Sequence, residues 1–312
     1  MTDIQPLSVR EAVLEYRFAH STLSPNTRRN HASRLALFTT WCEGQGLTLE
    51  TLKSSHVRAF LDYVATRSGM KTPQVRTSTV ASYAKAIKAF LSWCSKEEDF
   101  MVSTKLATRV EVPRVEETVI QTFSPLQIEA LFQAAEKQPF PVRDKALLAV
   151  LLDSGIRASE LTALTLPHVW LDSDDSYLRV MGKGRREREV SIGRQARTML
   201  RRYITRYRKP ANKDEQHIFL GHTGHPLTRS GLHQIVAEIG RKAHIKGVRC
   251  SPHTFRHTMA CMYLLGGGDI YKLSRILGHT NAEMTEVYLR AITSRQARQG
   301  SQSVLDTLKQ SL

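Results

Sequence analysis

Apolar positions recur with a helical period over most of this chain. In residues 1–112 three stretches carry that period: Ser24-Pro25 to about Glu43, about Ser54 to Arg67, and about Thr77 to Lys96. Ser24-Pro25 supplies a cap followed by Pro at the first helical position, and Gly44 and Gly46 mark the end of that helix. The first and third stretches are related. Thr27, Ala32, Leu35, Phe38, Thr40, Trp41 and Cys42 match Thr79, Ala84, Ile87, Phe90, Ser92, Trp93 and Cys94 at a constant offset of 52. Two copies are too few for a solenoid. They predict two helical hairpins related by pseudo-symmetry, with the Leu, Phe and Trp positions as core.

The period lapses over Ala107–Thr122, a β-prone run containing Pro113. An extended linker is expected there, dividing the chain into 1–112, a linker at 113–123, and 124–312. The second domain opens at Ser124-Pro125-Leu126-Gln127, a capping box with Pro at the first position, and continues with the apolar helix Val142–Ser154, ended by Gly155. Alternation in Tyr177–Val180 and Glu189–Ile192 predicts two short strands, joined through Gly182-Lys183-Gly184-Arg185-Arg186; His217–Leu220 is the candidate third strand. Three helices follow. Ser251-Pro252 starts the first, Asp269 caps and Gly278 ends the second, and Thr280 with Glu283 forms a capping box for the third. Ser303–Leu312 places Val304, Leu305, Leu308 and Leu312 on one stripe, a terminal amphipathic helix that needs a groove in its own chain or a neighbour's. The expected fold is therefore mainly α, in two domains, the second with a small antiparallel sheet.

Charge gives this fold a partner. The net charge is +16, with 16 basic and 10 acidic residues in 1–115 and 29 and 19 in the remainder, so both domains face a polyanion. Lys183–Lys213 is the densest basic run, with twelve basic and two acidic residues. In the first domain Arg28, Arg29, Arg34, Lys85 and Lys88 are candidate phosphate contacts, and in the hairpin Arg185 and Arg186. The ordinary reading of most of these is a solvated helix face. The few aromatics argue against a base-stacking single-strand binder. No signal-peptide pattern opens the chain, and the longest apolar run, Ala146–Leu152, is too short to span a membrane. Four cysteines without a Cys-x-x-Cys suit reduced thiols in a cytosolic setting.

The candidate chemistry gathers late in the chain. His253, Arg256 and His257 fall at i, i+3 and i+4 on one helix face, His279 lies just past Gly278, and Tyr288 sits on the third helix. Singly, a helical His or Tyr is most often core. Together, a cation, imidazoles and a phenol suit an anionic phosphorus centre attacked by a phenol oxygen. Arg157 follows the Gly155 turn with Glu160 three residues on to hold its guanidinium, and glycines let Lys183 approach a ligand closely. There is no Gly-x-x-x-x-Gly-Lys-Ser/Thr and no carboxylate cluster suited to Mg²⁺. His217, His222 and His225 are spaced only loosely like metal ligands. Cys250, His253, His257 and Cys261 would need four ligands within barely three turns, so no metal or other cofactor is expected.

Four blocks in this order carry a specific resemblance: Gly155-Ile156-Arg157-Ala158-Ser159-Glu160-Leu161, Gly182-Lys183-Gly184, His253-Thr254-Phe255-Arg256-His257, and Leu277-Gly278-His279 with Tyr288 nine residues on. Residues 124–292 resemble the catalytic domain of the tyrosine recombinase (phage integrase) family, and the first domain more weakly resembles its helical core-binding domain. The resemblance implies the DNA breaking-rejoining fold, in which an α-rich catalytic domain carries a small three-stranded antiparallel sheet. It implies a site-specific recombinase that cuts and rejoins duplex DNA through a 3′-phosphotyrosyl intermediate without metal or ATP, of the Xer or mobile-element kind with no further arm-binding domain. Tyr288 is then the nucleophile, Arg157 and Arg256 grip the phosphate, Lys183 protonates the leaving oxygen, His253 is the acid/base, His279 bonds the phosphate and Glu160 supports Arg157. The implied partners are duplex DNA with inverted-repeat sites clamped between the two domains, three further copies in a tetrameric synapse with helix 303–312 docked in trans, and an accessory DNA-bending or partner recombinase. The implied place is the cytoplasm, at the nucleoid. Phe255 replaces a common aliphatic residue, and Leu289-Arg290-Ala291 replaces a frequent Thr/His run, which bears on terminal packing rather than on chemistry. Two rivals share these residues: a type IB topoisomerase that relaxes supercoils, and a catalytically silent DNA-binding accessory factor.

Overall fold

The computed structural model describes residues 8–67, 75–98, 100, 102–115, 121–172, 175–182, 186–279 and 283–292. The chain forms two compact units, Met1–Glu117 and Thr118–Leu312.

Among the described residues the first unit holds five helices: α1 (Val9–Ala19), α2 (Pro25–Gly44), α3 (Ser54–Thr66), α4 (Thr77–Cys94) and the short α5 (Thr104–Thr108). The hydrophobic pattern read along the sequence missed α1, although its start signal is there. The Ser8 hydroxyl accepts from the Glu11 N–H, and the Glu11 carboxylate accepts from the Ser8 N–H, closing a capping box. The internal repeat is visible in the packing. Leu35 and Ile87, Phe38 and Phe90, and Cys42 and Cys94 occupy matching positions on α2 and α4, and all six are fully buried. The paired tryptophans differ. Trp41 meets the edge of Phe60 with centroids 5.6 Å apart, whereas Trp93 lies 5.5 Å from Tyr16 and 5.2 Å from Phe100. α5 overlaps only the first two residues of the expected extended stretch Ala107–Thr122: Ser103 caps it, Leu106, Ala107 and Val110 are buried in the first core, and residues 110–115 carry no regular secondary structure.

In the second unit α6 (Pro125–Glu136) starts on its Ser124/Gln127 capping box. α7 (Pro141–Ser154) is its central rod, with Ala146 to Leu151 all buried. Gly155 ends α7 at φ +60°, which lets the chain turn at once into α8 (Ala158–Thr162). The sheet has the order β1 (Val169–Trp170), β2 (Tyr177–Met181), β3 (Glu187–Ser191), all antiparallel, with Val169 opposite Leu178 and Tyr177 opposite Ser191. The third strand is thus Val169–Trp170 and not His217–Leu220, which makes only isolated bridges at Thr165–His217 and Leu220–Pro226. Trp170 stacks on Tyr177 with centroids 4.6 Å apart and carries Arg179 on its face, a cross-strand cluster that fixes this pairing. α9 (Arg194–Arg202) runs into one π turn, Tyr203–Tyr207, and α10 (Arg229–Lys242) follows. Among the described residues the last helices are α11 (Pro252–Leu265), α12 (Ile270–Leu277) and α13 (Glu283–Ala291). Phe123, at the end of the expected linker, belongs to this core: its N–H donates to the Thr258 hydroxyl (2.9 Å) and its ring meets Phe255. Among the described residues no helix is long and apolar enough to cross a membrane.

Candidate active site

The C-terminal end of α12 organises the site. The last carbonyls of a helix lack intrahelical partners and attract cations. Here the backbone N–H groups of Gly278 and His279 take the Arg275 and Ser274 carbonyls. The next three carbonyls each receive one arginine. Arg188 Nε donates to Ile276 (2.7 Å), Arg256 Nη2 to Leu277 (2.8 Å) and Arg157 Nη2 to Gly278 (3.1 Å). Gly278 has φ +64°, a turn that favours glycine, and a Cβ there would stand 3.0 Å from the Arg188 guanidinium and crowd it.

Glu160 is the only carboxylate among these three guanidinium groups in the described residues, and its side chain is 3% exposed. It takes a hydrogen bond from Arg157 Nη1 (2.9 Å) and another from the Arg157 N–H (2.8 Å). Its fuller partner is Arg188, which grips both oxygens at 2.9 and 2.8 Å. Burial pushes the Glu160 carboxyl up, but the Arg188 and Arg157 hydrogen bonds outweigh it and hold the group below the usual carboxylate range. The sequence reading paired Glu160 with Arg157 alone and missed Arg188. A signal was present: Arg188 occupies the same strand face as buried Val190, an inward position where a cation needs a partner. Replacing Arg188 with alanine leaves Glu160 buried with half its pairing, and we expect a loss of about 3 kcal/mol in denaturant unfolding of the second unit.

Arg256 is 3% exposed, donates to the Gly155 carbonyl (2.8 Å), and lies 2.9 Å from His279 Nε2. Burial, with repulsion from Arg157, lowers its pKa to about 10, so it stays cationic at neutral pH. Because Arg256 can only donate, His279 Nε2 is the acceptor and the ring's proton sits on Nδ1, 2.7 Å from the Thr285 hydroxyl. Tyr288 is 2% exposed, its ring parallel to His279 at 6.3 Å and tilted against His257 at 5.4 Å. Burial raises its pKa, against the opposing charge of Arg256. His253 faces solvent and packs on His257 with centroids 4.0 Å apart. Its pKa is lowered by burial of part of the ring, then by Arg256 and Arg157. Arg157, Glu160, His253, Arg256, His279 and Tyr288 are thus brought together; Lys183 and Arg185 lie outside the described residues.

His257 and His279 share one electrostatic consequence. Burial first, then neighbouring cations and imidazoles, depresses both to about 4, whereas an unfolded histidine titrates near ~6.5. Between those values the unfolded chain binds more protons than the folded one, so stability falls as the pH drops from about 6.5 towards 4. Thermal midpoints measured across that window should decline, and His257→Gln should flatten the decline.

The other basic candidates divide. Arg28, Arg29, Lys85 and Arg186 are exposed. Arg34 donates to the Asn30 carbonyl and lies over Tyr83, and Lys88 reaches the Val110 carbonyl, so both have structural partners. Part of the dense basic run is also structural: Arg201 donates to the Leu171 carbonyl and pairs with Asp172, and Arg208 donates to the Glu215 and His217 carbonyls.

The model of the phage integrase family matches residues 121–295, and that of the phage integrase N-terminal SAM-like domain matches residues 13–98. The chain belongs to the phage integrase, or tyrosine recombinase, family. It is 31% identical over 291 residues to tyrosine recombinase XerD of Chlorobaculum tepidum, covering 89% of this chain and 90% of that protein. It is 30% identical over 278 residues to tyrosine recombinase XerD of Pseudomonas aeruginosa, covering 88% and 89%. The fold is similar to that of XerH site-specific recombinase bound to palindromic difH substrate in a post-cleavage complex, with TM-score 0.72 at 16% identity over 93% of this chain and 83% of that one. As a tyrosine recombinase the protein is an enzyme of site-specific DNA recombination, and neither topoisomerase-like relaxation nor a silent accessory role is favoured.

Proposed function

We propose that this recombinase cuts one DNA strand with Tyr288 while Arg157 and Arg256 hold the phosphate. The observation that carries this reading is the convergence of those two guanidinium groups on the end of α12, with His279 between Arg256 and the Tyr288 helix. A phosphodiester seated there meets donors fixed before it arrives, which is where electrostatic stabilisation of a phosphoryl-transfer transition state has most effect. The Tyr288 oxygen attacks phosphorus, the 5′-oxygen leaves with a proton from Lys183, and His253 serves as acid/base. Two arginines, a lysine and imidazoles supply the neutralising charge. The tyrosyl ester keeps the energy of the broken phosphodiester, so rejoining needs no nucleotide.

The partners in this reading are duplex DNA with inverted repeats and further copies of the protein, with a partner recombinase or DNA-bending factor in an accessory role. Exposed Arg28, Arg29, Lys85 and Arg186 would contact phosphates. Helix 303–312, proposed to dock in trans, lies outside the described residues. The test is a nicked duplex, built on an inverted repeat that the protein footprints, whose short cleaved end diffuses away. A covalent complex should accumulate, with the DNA mapped to the peptide containing Tyr288. DNA bound without any covalent complex would overturn the proposal, and trapping on every sequence without recombinants would favour a topoisomerase.

A further inference from the structure

Thr285 belongs to none of the motifs above, yet it is fully buried and its hydroxyl is 2.7 Å from His279 Nδ1. The direction of that bond is fixed by the other side of the ring. Arg256 Nη2 donates to Nε2, so Nδ1 carries the proton and Thr285 Oγ1 accepts it. Thr285 is also one turn before Tyr288 on α13, at i and i+3, so the two side chains share a helix face. His279 itself is not on that helix; it follows the turn at Gly278.

We propose that Thr285 is a positioning residue: by accepting the Nδ1 proton it aims the Nε2 edge of His279 at the arginine cradle, and it ties that aim to the seating of the helix that carries Tyr288. This rests on the assignment of Tyr288 and His279 to the site. In the DNA-free protein burial first, and then the three cations Arg256, Arg157 and Arg188, favour the neutral ring. A phosphodiester between Arg157 and Arg256 offsets that repulsion. An added proton could enter only at Nε2, because Nδ1 already carries one, and it would displace the bond from Arg256 Nη2. Without the hydroxyl the ring can flip or take the other tautomer, and α13 can dock without orienting it.

The test pairs Thr285→Val with Thr285→Ser. Imidazole nitrogen signals from ¹⁵N-histidine-labelled protein, read without DNA, should show His279 protonated at Nδ1 in the wild type and the serine variant and a tautomer mixture in the valine variant. On the nicked duplex the valine variant should trap DNA roughly tenfold more slowly, the scale of one lost orienting hydrogen bond, and serine should restore the rate. In a His279→Ala background Thr285→Val should change nothing further. Wild-type trapping by the valine variant, or an equal loss with and without His279, overturns the proposal. Should valine unfold the unit, Thr285→Ala replaces it. If the wild type traps no DNA, the cleavage assignment fails, while the nitrogen signals still decide whether Thr285 holds His279.

Discussion

Tyr288→Phe should abolish covalent trapping of DNA and leave DNA binding and the fold in place. The ring is 2% exposed and packs with Met259, Leu273 and Leu277, contacts that phenylalanine keeps. What it loses is the phenol oxygen, the proposed nucleophile. Denaturing gels should show no protein–DNA adduct, and native gels should show an unchanged shift. An adduct that persists in the variant would mean another residue attacks the phosphate.

The second large effect is expected at Arg256. Its guanidinium serves the Gly155 and Leu277 carbonyls and His279 at once, from a site with 3% exposure. A lysine keeps the charge but is a point donor on a flexible stem, so Arg256→Lys cannot span two carbonyls on different helices and a phosphate. We expect the rate of covalent complex formation to fall by about 10²–10³, the cost of one lost transition-state donor. Arg256→Ala should fall at least as far, and it also leaves two buried carbonyls unpaired, at about 1–3 kcal/mol each. Single-turnover trapping with saturating protein separates this from weakened binding. A lysine variant within threefold of the wild type would show that the fork geometry is dispensable.

Much of this site is legible in the sequence because its parts sit on strong local signals. Gly155 and Gly278 are helix stops, Ser251-Pro252 is a helix start, and the spacing of His253, Arg256 and His257 fixes one face. Arg188 and Thr285 escaped for a different reason. Their roles depend on partners 28 and 6 residues away, Glu160 and His279, and no periodicity encodes such a meeting. The same holds for the fold. The α2–α4 repeat could be read from its buried stripe, since local period and burial agree. The third strand could not: the apolar run Ile218–Leu220 is buried without pairing in the sheet, while two residues, Val169 and Trp170, take the edge through contacts with Tyr177 and Arg179. Burial and strand pairing leave the same mark on a short apolar run.

At the end of α12 the three arginines take hold of the main-chain oxygens of residues 276 to 278, not of the side chains at 276 and 277. The cradle is therefore indifferent to which side chains stand at 276 and 277, provided they pack, and sensitive to the path of the chain. Substitutions there can drift during divergence. An insertion or deletion of a single residue between Asp269 and His279 would instead rotate the helix end by about 100° and move all three cations away from one another. Constancy of length, more than constancy of sequence, is what this part of the molecule has to preserve.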